Sequence, residues 1–130
     1  MIYTQEILIP ANTLPTDPLI AEVAVVQGVV RRVWIRWRWG SADLAGCSIY
    51  RGAFQVWPTS GFQWFPSTTL DTAWDEDYPL GDEPLQFTIK SYNLDELFSP
   101  MVWVAFSVQR RPAKDDLIVA REFYESGVPL

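Results

Sequence analysis

Ten prolines and seven glycines cut this chain into short pieces, and inside those pieces apolar and polar residues alternate. A period of two sends successive side chains to opposite faces of an extended strand, whereas a helix repeats near 3.6. The clearest case is "VVRRVWIRWRW" (29–39). Val33, Ile35, Trp37 and Trp39 fall on one face, and Arg32, Trp34, Arg36 and Arg38 on the other. The odd positions are expected in the core, where burial is worth about 25 cal/mol per Å² of apolar surface. The even positions make a basic stripe with an indole set into it.

The rest of the chain reads in the same way. "YTQEILI" is a first strand, ended by "PANTLPTDP", whose three prolines exclude a helix. "LIAEVAVV" and "VVRRVWIRWRW" flank Gln27-Gly28, which predicts a β-hairpin. "CSIYRGAFQVW" reads as one strand with Gly52 at a bulge or close packing point, and "PTSG" turns the chain into "FQWF". "PSTTLDTAWDEDYPLGDEP" is polar and acidic and reads as a loop with at most one short strand. In "LQFTIKSYN" the apolar face is Leu85, Phe87 and Ile89; in "MVWVAFSVQ" it is Val102, Val104, Phe106 and Val108. About seven or eight short strands with little helix signal predict an all-β fold, an antiparallel β-sandwich of jelly-roll type.

The sandwich is expected to span 1–109, with 110–130 as a C-terminal extension. "LIVAREFY" in that extension fits either a short helix opened by Asp115 and Asp116 or an extended arm. Leu117, Ile118, Val119, Phe123 and Tyr124 are too apolar to stay uncovered, so the extension is expected to pack on its own subunit or on a neighbour.

A length of 130 residues fits one domain. No apolar run is long enough to span a bilayer, and "MIYTQEILIP" lacks the basic and apolar regions of a signal peptide. The net charge of −6 argues against general affinity for nucleic acid or anionic membrane. Histidine is absent from the sequence, which removes the commonest general base and metal ligand. Cys47, the only cysteine, sits in a strand-like context and reads as a small buried residue. With no catalytic constellation in the sequence, an enzyme is not expected, and neither is a cofactor or metal.

Four of the ten basic residues lie in 31–38, while "DTAWDEDYPLGDE" (71–83) carries six acids and no base. Two readings follow. The arginines lie over Trp34 and pair with acids of the same subunit, or the basic face meets the acidic loop of a neighbouring subunit. Arg32, Trp34, Arg36, Arg38, Asp75, Glu76 and Asp77, with Leu117, Ile118, Phe123 and Tyr124, are therefore the candidate interface residues. Asp71, Asp75, Glu76 and Asp77 raise the question of calcium, but "DTAWDED" lacks the glycine-turned ligand loop. Trp57, Trp64, Trp74 and Trp103 are candidates for stacking on a sugar, although their strand contexts favour burial.

Several phrases carry a resemblance: "IPANT" (9–13), "QGVVRRVWIRW" (27–37), "IYRGAFQVWP" (49–58), "GFQWF" (61–65), "EPLQFTIKSYN" and "VWVAFSV". Together they resemble small uncharacterised β-sandwich proteins of tailed-phage-like and metagenomic genomes, across roughly residues 6–108 but not the tail. The resemblance implies a non-enzymatic virion structural protein, a capsid decoration or minor structural protein, and brings no catalytic residues. The expected partners are copies of the chain and other virion proteins, and the expected location is the virion. The alternative is a carbohydrate-binding module or receptor-binding tip.

Overall fold

The computed structural model describes residues 1–38, 44–60 and 63–110. Among them the alternating pieces form nine strands: β1 (Ile2–Leu8), β2 (Leu19–Ala24), β3 (Gly28–Arg38), β4 (Ala45–Arg51), β5 (Phe54–Trp57), β6 (Phe65–Pro66), β7 (Asp71–Leu80), β8 (Gln86–Asn93) and β9 (Met101–Arg110). One sheet has the order β1-β9-β3-β7; the other runs β2-β8-β4-β5, with the short β6 against β4. Every pairing is antiparallel. Two such sheets, each with one apolar face, bury those faces against each other as a β-sandwich.

The inner faces follow the alternation. Val33, Ile35 and Trp37 of β3 and Val102, Val104, Phe106 and Val108 of β9 are buried, as are Phe87 and Ile89 of β8. Trp39 lies outside the described residues. Between the sheets, Phe87 and Phe106 stack with ring centroids 4.5 Å apart and planes 18° from parallel. Trp57 closes over both, at 5.4 Å and 6.2 Å. A register shift between Val30 and Arg32 lets Val30 and Val33 both face inward and leaves Arg31 and Arg32 outside.

Three sequence expectations need correction. The pieces around Gln27-Gly28 are not a hairpin, because β2 pairs with β8 while β3 pairs with β7 and β9. The chain crosses between sheets there. Gly28 instead lies between Leu80 and Arg110, where an added Cβ would come within 2.3 Å of the Gln109 carbonyl oxygen. Close strand approach, not a turn, explains that glycine. The acidic stretch is likewise no loop: Asp71–Leu80 is a ten-residue edge strand in register with β3. Finally, "CSIYRGAFQVW" is two strands, β4 and β5, joined at Gly52, whose φ of +61° is readily adopted by glycine.

Candidate functional site

The outer face of the first sheet holds most of the residues singled out from the sequence. In register across it, Arg36 stands between Asp71 and Trp103, Trp34 between Ala73 and Ala105, and Arg32 between Asp75 and Ser107. Arg32 pairs with Asp75 at 2.6 Å, Arg36 with Asp71 at 2.8 Å, and Arg31 with Asp77 at 2.5 Å. Arg31 also donates through Nε to Gln109 Oε1 at 2.9 Å. The Arg32 guanidinium lies 5.6 Å from the Trp34 ring centroid, and that of Arg36 lies 5.5 Å from Trp103. The basic stripe and the acidic strand thus neutralise each other within one chain. Arg38 forms no ion pair among the described residues. These side chains are largely exposed, so each pair contributes about 0–1 kcal/mol; their main effect is to fix a face of alternating sign.

Glu76 does not belong to this surface. Alternation along β7 turns it the other way, toward the gap between β7 and the second sheet, where its Oε1 accepts from Trp57 Nε1 and Trp74 Nε1, both at 2.8 Å. Asp71, Asp75 and Asp77 therefore face away from Glu76 and hold arginines, so the four acids do not converge as calcium ligands. Among the described residues no group of three or more potential ligands is placed to hold a metal ion. Cys47 is fully buried, and burial pushes its thiol far up from the usual range, which leaves it without the thiolate that reactivity requires.

The sugar-platform candidates separate. Trp57 is core; Trp74 is partly buried against it and stacks on Phe65 at 5.3 Å, and Trp64 and Trp103 are likewise half-buried. Trp64 stands edge-on to Tyr92 at 4.8 Å. An open groove of about 530 Å³ lies elsewhere, between the β4–β5 turn and the β7–β8 loop, lined by Arg51, Phe54, Tyr78, Asp82, Glu83 and Pro84 among others. Arg51 is committed to that wall: it donates to the carbonyls of Pro84 at 2.9 Å and Asp82, and covers Tyr78 at 5.8 Å.

A surface that sequence reasoning missed lies at one end of the sandwich. Leu8 and Arg38 both register with Met101, and Ala45 registers with Asn93. The ends of β1, β3 and β8 and the starts of β2, β4, β7 and β9 therefore lie at the same end. Leu14, Leu44, Leu70, Leu94, Leu97 and Phe98 are all exposed there, Leu97 at 82% and Phe98 at 66%. Backbone hydrogen bonds tie described residues of this end together. Leu94 N–H donates to Leu44 O at 2.7 Å, Asn12 N–H to Asp95 O at 3.0 Å, and Trp37 N–H to Leu70 O at 2.9 Å.

Asn93 is the knot. Fully buried, it exchanges backbone hydrogen bonds with Thr13 at 2.8 Å. Its Nδ2 donates to the carbonyls of Ile9 and Pro10, at 3.3 Å each, and of Phe98 at 2.8 Å, and its Oδ1 accepts from Asp95 N–H at 3.0 Å. Asp95 in turn accepts from Leu97 and Phe98 N–H at 2.8 and 3.0 Å, and these bonds hold its carboxyl below the usual range. The phrase "SYNLDELF" carries this signal, an Asn and an Asp two apart at a strand end, each able to bind backbone locally. Leu117, Ile118, Phe123 and Tyr124 lie outside the described residues. No protein-family model matches the chain, and neither does any curated protein or solved structure.

Proposed function

We propose that this chain is a non-enzymatic structural protein of a virus particle, a jelly-roll sandwich that docks on the particle and associates with copies of itself. The observation that carries the reading is the apolar loop end. Exposed leucines and a phenylalanine on hydrogen-bonded loops form a preorganised contact surface, and burying one such side chain is worth about 1.5–3 kcal/mol. Several of them suffice for docking, and many copies on one shell multiply a modest affinity. The strand orders support the jelly-roll reading. With β6 set aside, consecutive strands alternate between the sheets except at the β4–β5 hairpin, the arrangement of two interlocked Greek keys that recurs in viral capsid domains. The likeness of the strand phrases to small tailed-phage-like proteins supplies the setting.

Binding to particles assembled without the protein tests this reading. Saturable co-sedimentation is expected, weakened at least tenfold by Leu97→Ser with Phe98→Ser; binding that ignores both changes removes the loop end from the account. A second reading, a carbohydrate-binding module or receptor-binding tip, is favoured by Phe54, 70% exposed at the groove beside Asp82 and Glu83. Saturable signal on a glycan array, lost in Phe54→Ala, would select it.

A further inference from the structure

We infer that the open edge of β1 is a self-association surface, which pairs antiparallel with β1 of a second copy about a two-fold axis through Gln5. This inference rests on the self-association part of the reading above. It starts from which backbone groups of β1 are free. Met1 and Val108 exchange N–H···O bonds in both directions, at 3.0 and 2.8 Å, and Ile9 N–H donates to Pro100 O at 3.0 Å. Both ends of the β1–β9 ladder thus use odd residues of β1. Since hydrogen-bonded and non-hydrogen-bonded pairs alternate in an antiparallel ladder, Ile2, Thr4, Glu6 and Leu8 direct their N–H and C=O groups away from β9. Nothing lies beyond β1 in its sheet among the described residues.

The other edge of that sheet is guarded. β7 presents Asp71, Asp75 and Asp77 on its outer face and carries Pro79, devices that blunt an edge. β1, "IYTQEIL", has neither a proline nor a cluster of charge.

The register follows from the side chains. Only registers that pair even residues with even residues satisfy the free groups of both copies. Centred on Glu6, two carboxylates would face each other; centred on Thr4, Leu8 would have no partner. Centred on Gln5, Ile2 meets Leu8 of the other copy and Thr4 meets Glu6. Ile2 and Leu8, 64% and 54% exposed, are then covered at both ends of the pair, and the Glu6 carboxylates stay apart. A seven-residue edge, about 24 Å long and roughly 10 Å thick, buries less than the roughly 1,200 Å² of a standard interface. The association is accordingly weak and concentration-dependent, as suits a protein acting in many copies.

Sedimentation equilibrium of the full chain, up to about 1 mM, reads the association. The Thr4 N–H points away from β9, so Thr4→Pro removes an edge donor and leaves the β1–β9 ladder intact. Glu22→Pro is the matched control on the edge of β2. There the bond from Val25 N–H to Leu85 O and the register likewise turn the Glu22 N–H outward. Self-association weakened at least tenfold by Thr4→Pro and unchanged by Glu22→Pro is expected. Under mild oxidation Gln5→Cys should cross-link between copies, because the two-fold sets these residues face to face, and Thr4→Cys should not, its mate lying beyond disulfide reach. Association of Thr4→Pro equal to that of the parent overturns the β1 edge while leaving self-association standing. Equal cross-linking of Thr4→Cys and Gln5→Cys overturns the register. A parent that stays monomeric throughout overturns both self-association and this edge, while particle docking through the loop end is judged separately by co-sedimentation.

Discussion

Phe106→Ala removes a ring from the seam between the two sheets, and its cost can be worked from the contacts. Phe106 is fully buried, stacked on Phe87 at 4.5 Å and covered by Trp57 at 6.2 Å. Truncating a buried Phe to Ala costs about 3–5 kcal/mol, the upper end applying where the surroundings cannot collapse. Phe106 stands on one sheet and the Phe87 and Trp57 rings on the other, each sheet pinned by its own ladder, so little collapse is available. That range already contains the loss of the stacked pair, itself about 0.5–1.5 kcal/mol. The expected loss is therefore about 4–5 kcal/mol, a large part of the 5–15 kcal/mol that holds a typical domain. Urea unfolding followed by tryptophan fluorescence measures it, since Trp57 reports from the same cluster. Phe87→Ala should cost a similar amount. The double variant should lose less than the sum of the two, with a coupling of at least about 0.5 kcal/mol. A Phe106→Ala loss under about 1 kcal/mol, or strict additivity with Phe87→Ala, would refute the view that this pair seals the sandwich.

Four further outcomes follow from named contacts. Asn93→Leu leaves the Ile9, Pro10 and Phe98 carbonyls without their shared donor and should cost about 2–4 kcal/mol, read by urea unfolding, with faster hydrogen exchange at Asp95, Leu97 and Phe98. Gly28→Ala forces a methyl group onto the Gln109 carbonyl and should cost at least about 1–3 kcal/mol by strain, whereas a tolerated Ala would mean the strands are not packed as described. Arg32→Ala should change stability by under about 1 kcal/mol, and a larger thermal shift would show that the outer-face ion pairs matter more than their exposure allows. The hydrogen bonds to Asp95 lower its folded pKa, so their contribution is present above the unfolded value of about 3.9 and disappears as pH falls through the folded pKa. Amide shifts of Leu97 and Phe98 followed down in pH should move together below that value and stay still in Asp95→Asn.

Alternation told that Val33, Ile35 and Trp37 of β3 and Val102, Val104, Phe106 and Val108 of β9 face inward, and these are buried; it did not foretell the register shift at Val30 and Arg32. It could not tell which strand lies beside which. The apolar pieces on either side of Gln27-Gly28 have the same pattern whether they form a hairpin or cross between sheets, and only the space beside Gln109 distinguishes the two uses of Gly28. β7 was hidden by composition: Asp is depleted in strands, and three of them masked the regular Thr72, Trp74, Glu76, Tyr78, Leu80 series. Register with the arginines of β3 is what makes those aspartates compatible with a strand. Arg32 and Asp75 pair within the chain through that register. Glu76 was grouped with its neighbours by proximity in sequence, although period two separates it from them. The apolar loop end was not legible, because its residues are scattered from Leu14 to Phe98 and come to one end only through the strand pairing and the backbone bonds there.

The quantity that bears most directly on a structural role is the copy number of the chain in purified particles from its source, measured by quantitative mass spectrometry against the major shell protein. A fixed ratio, with many copies per particle and unchanged on repeated purification, is the result expected here. Trace or variable amounts, with the chain recovered instead in the unassembled fraction, would contradict it.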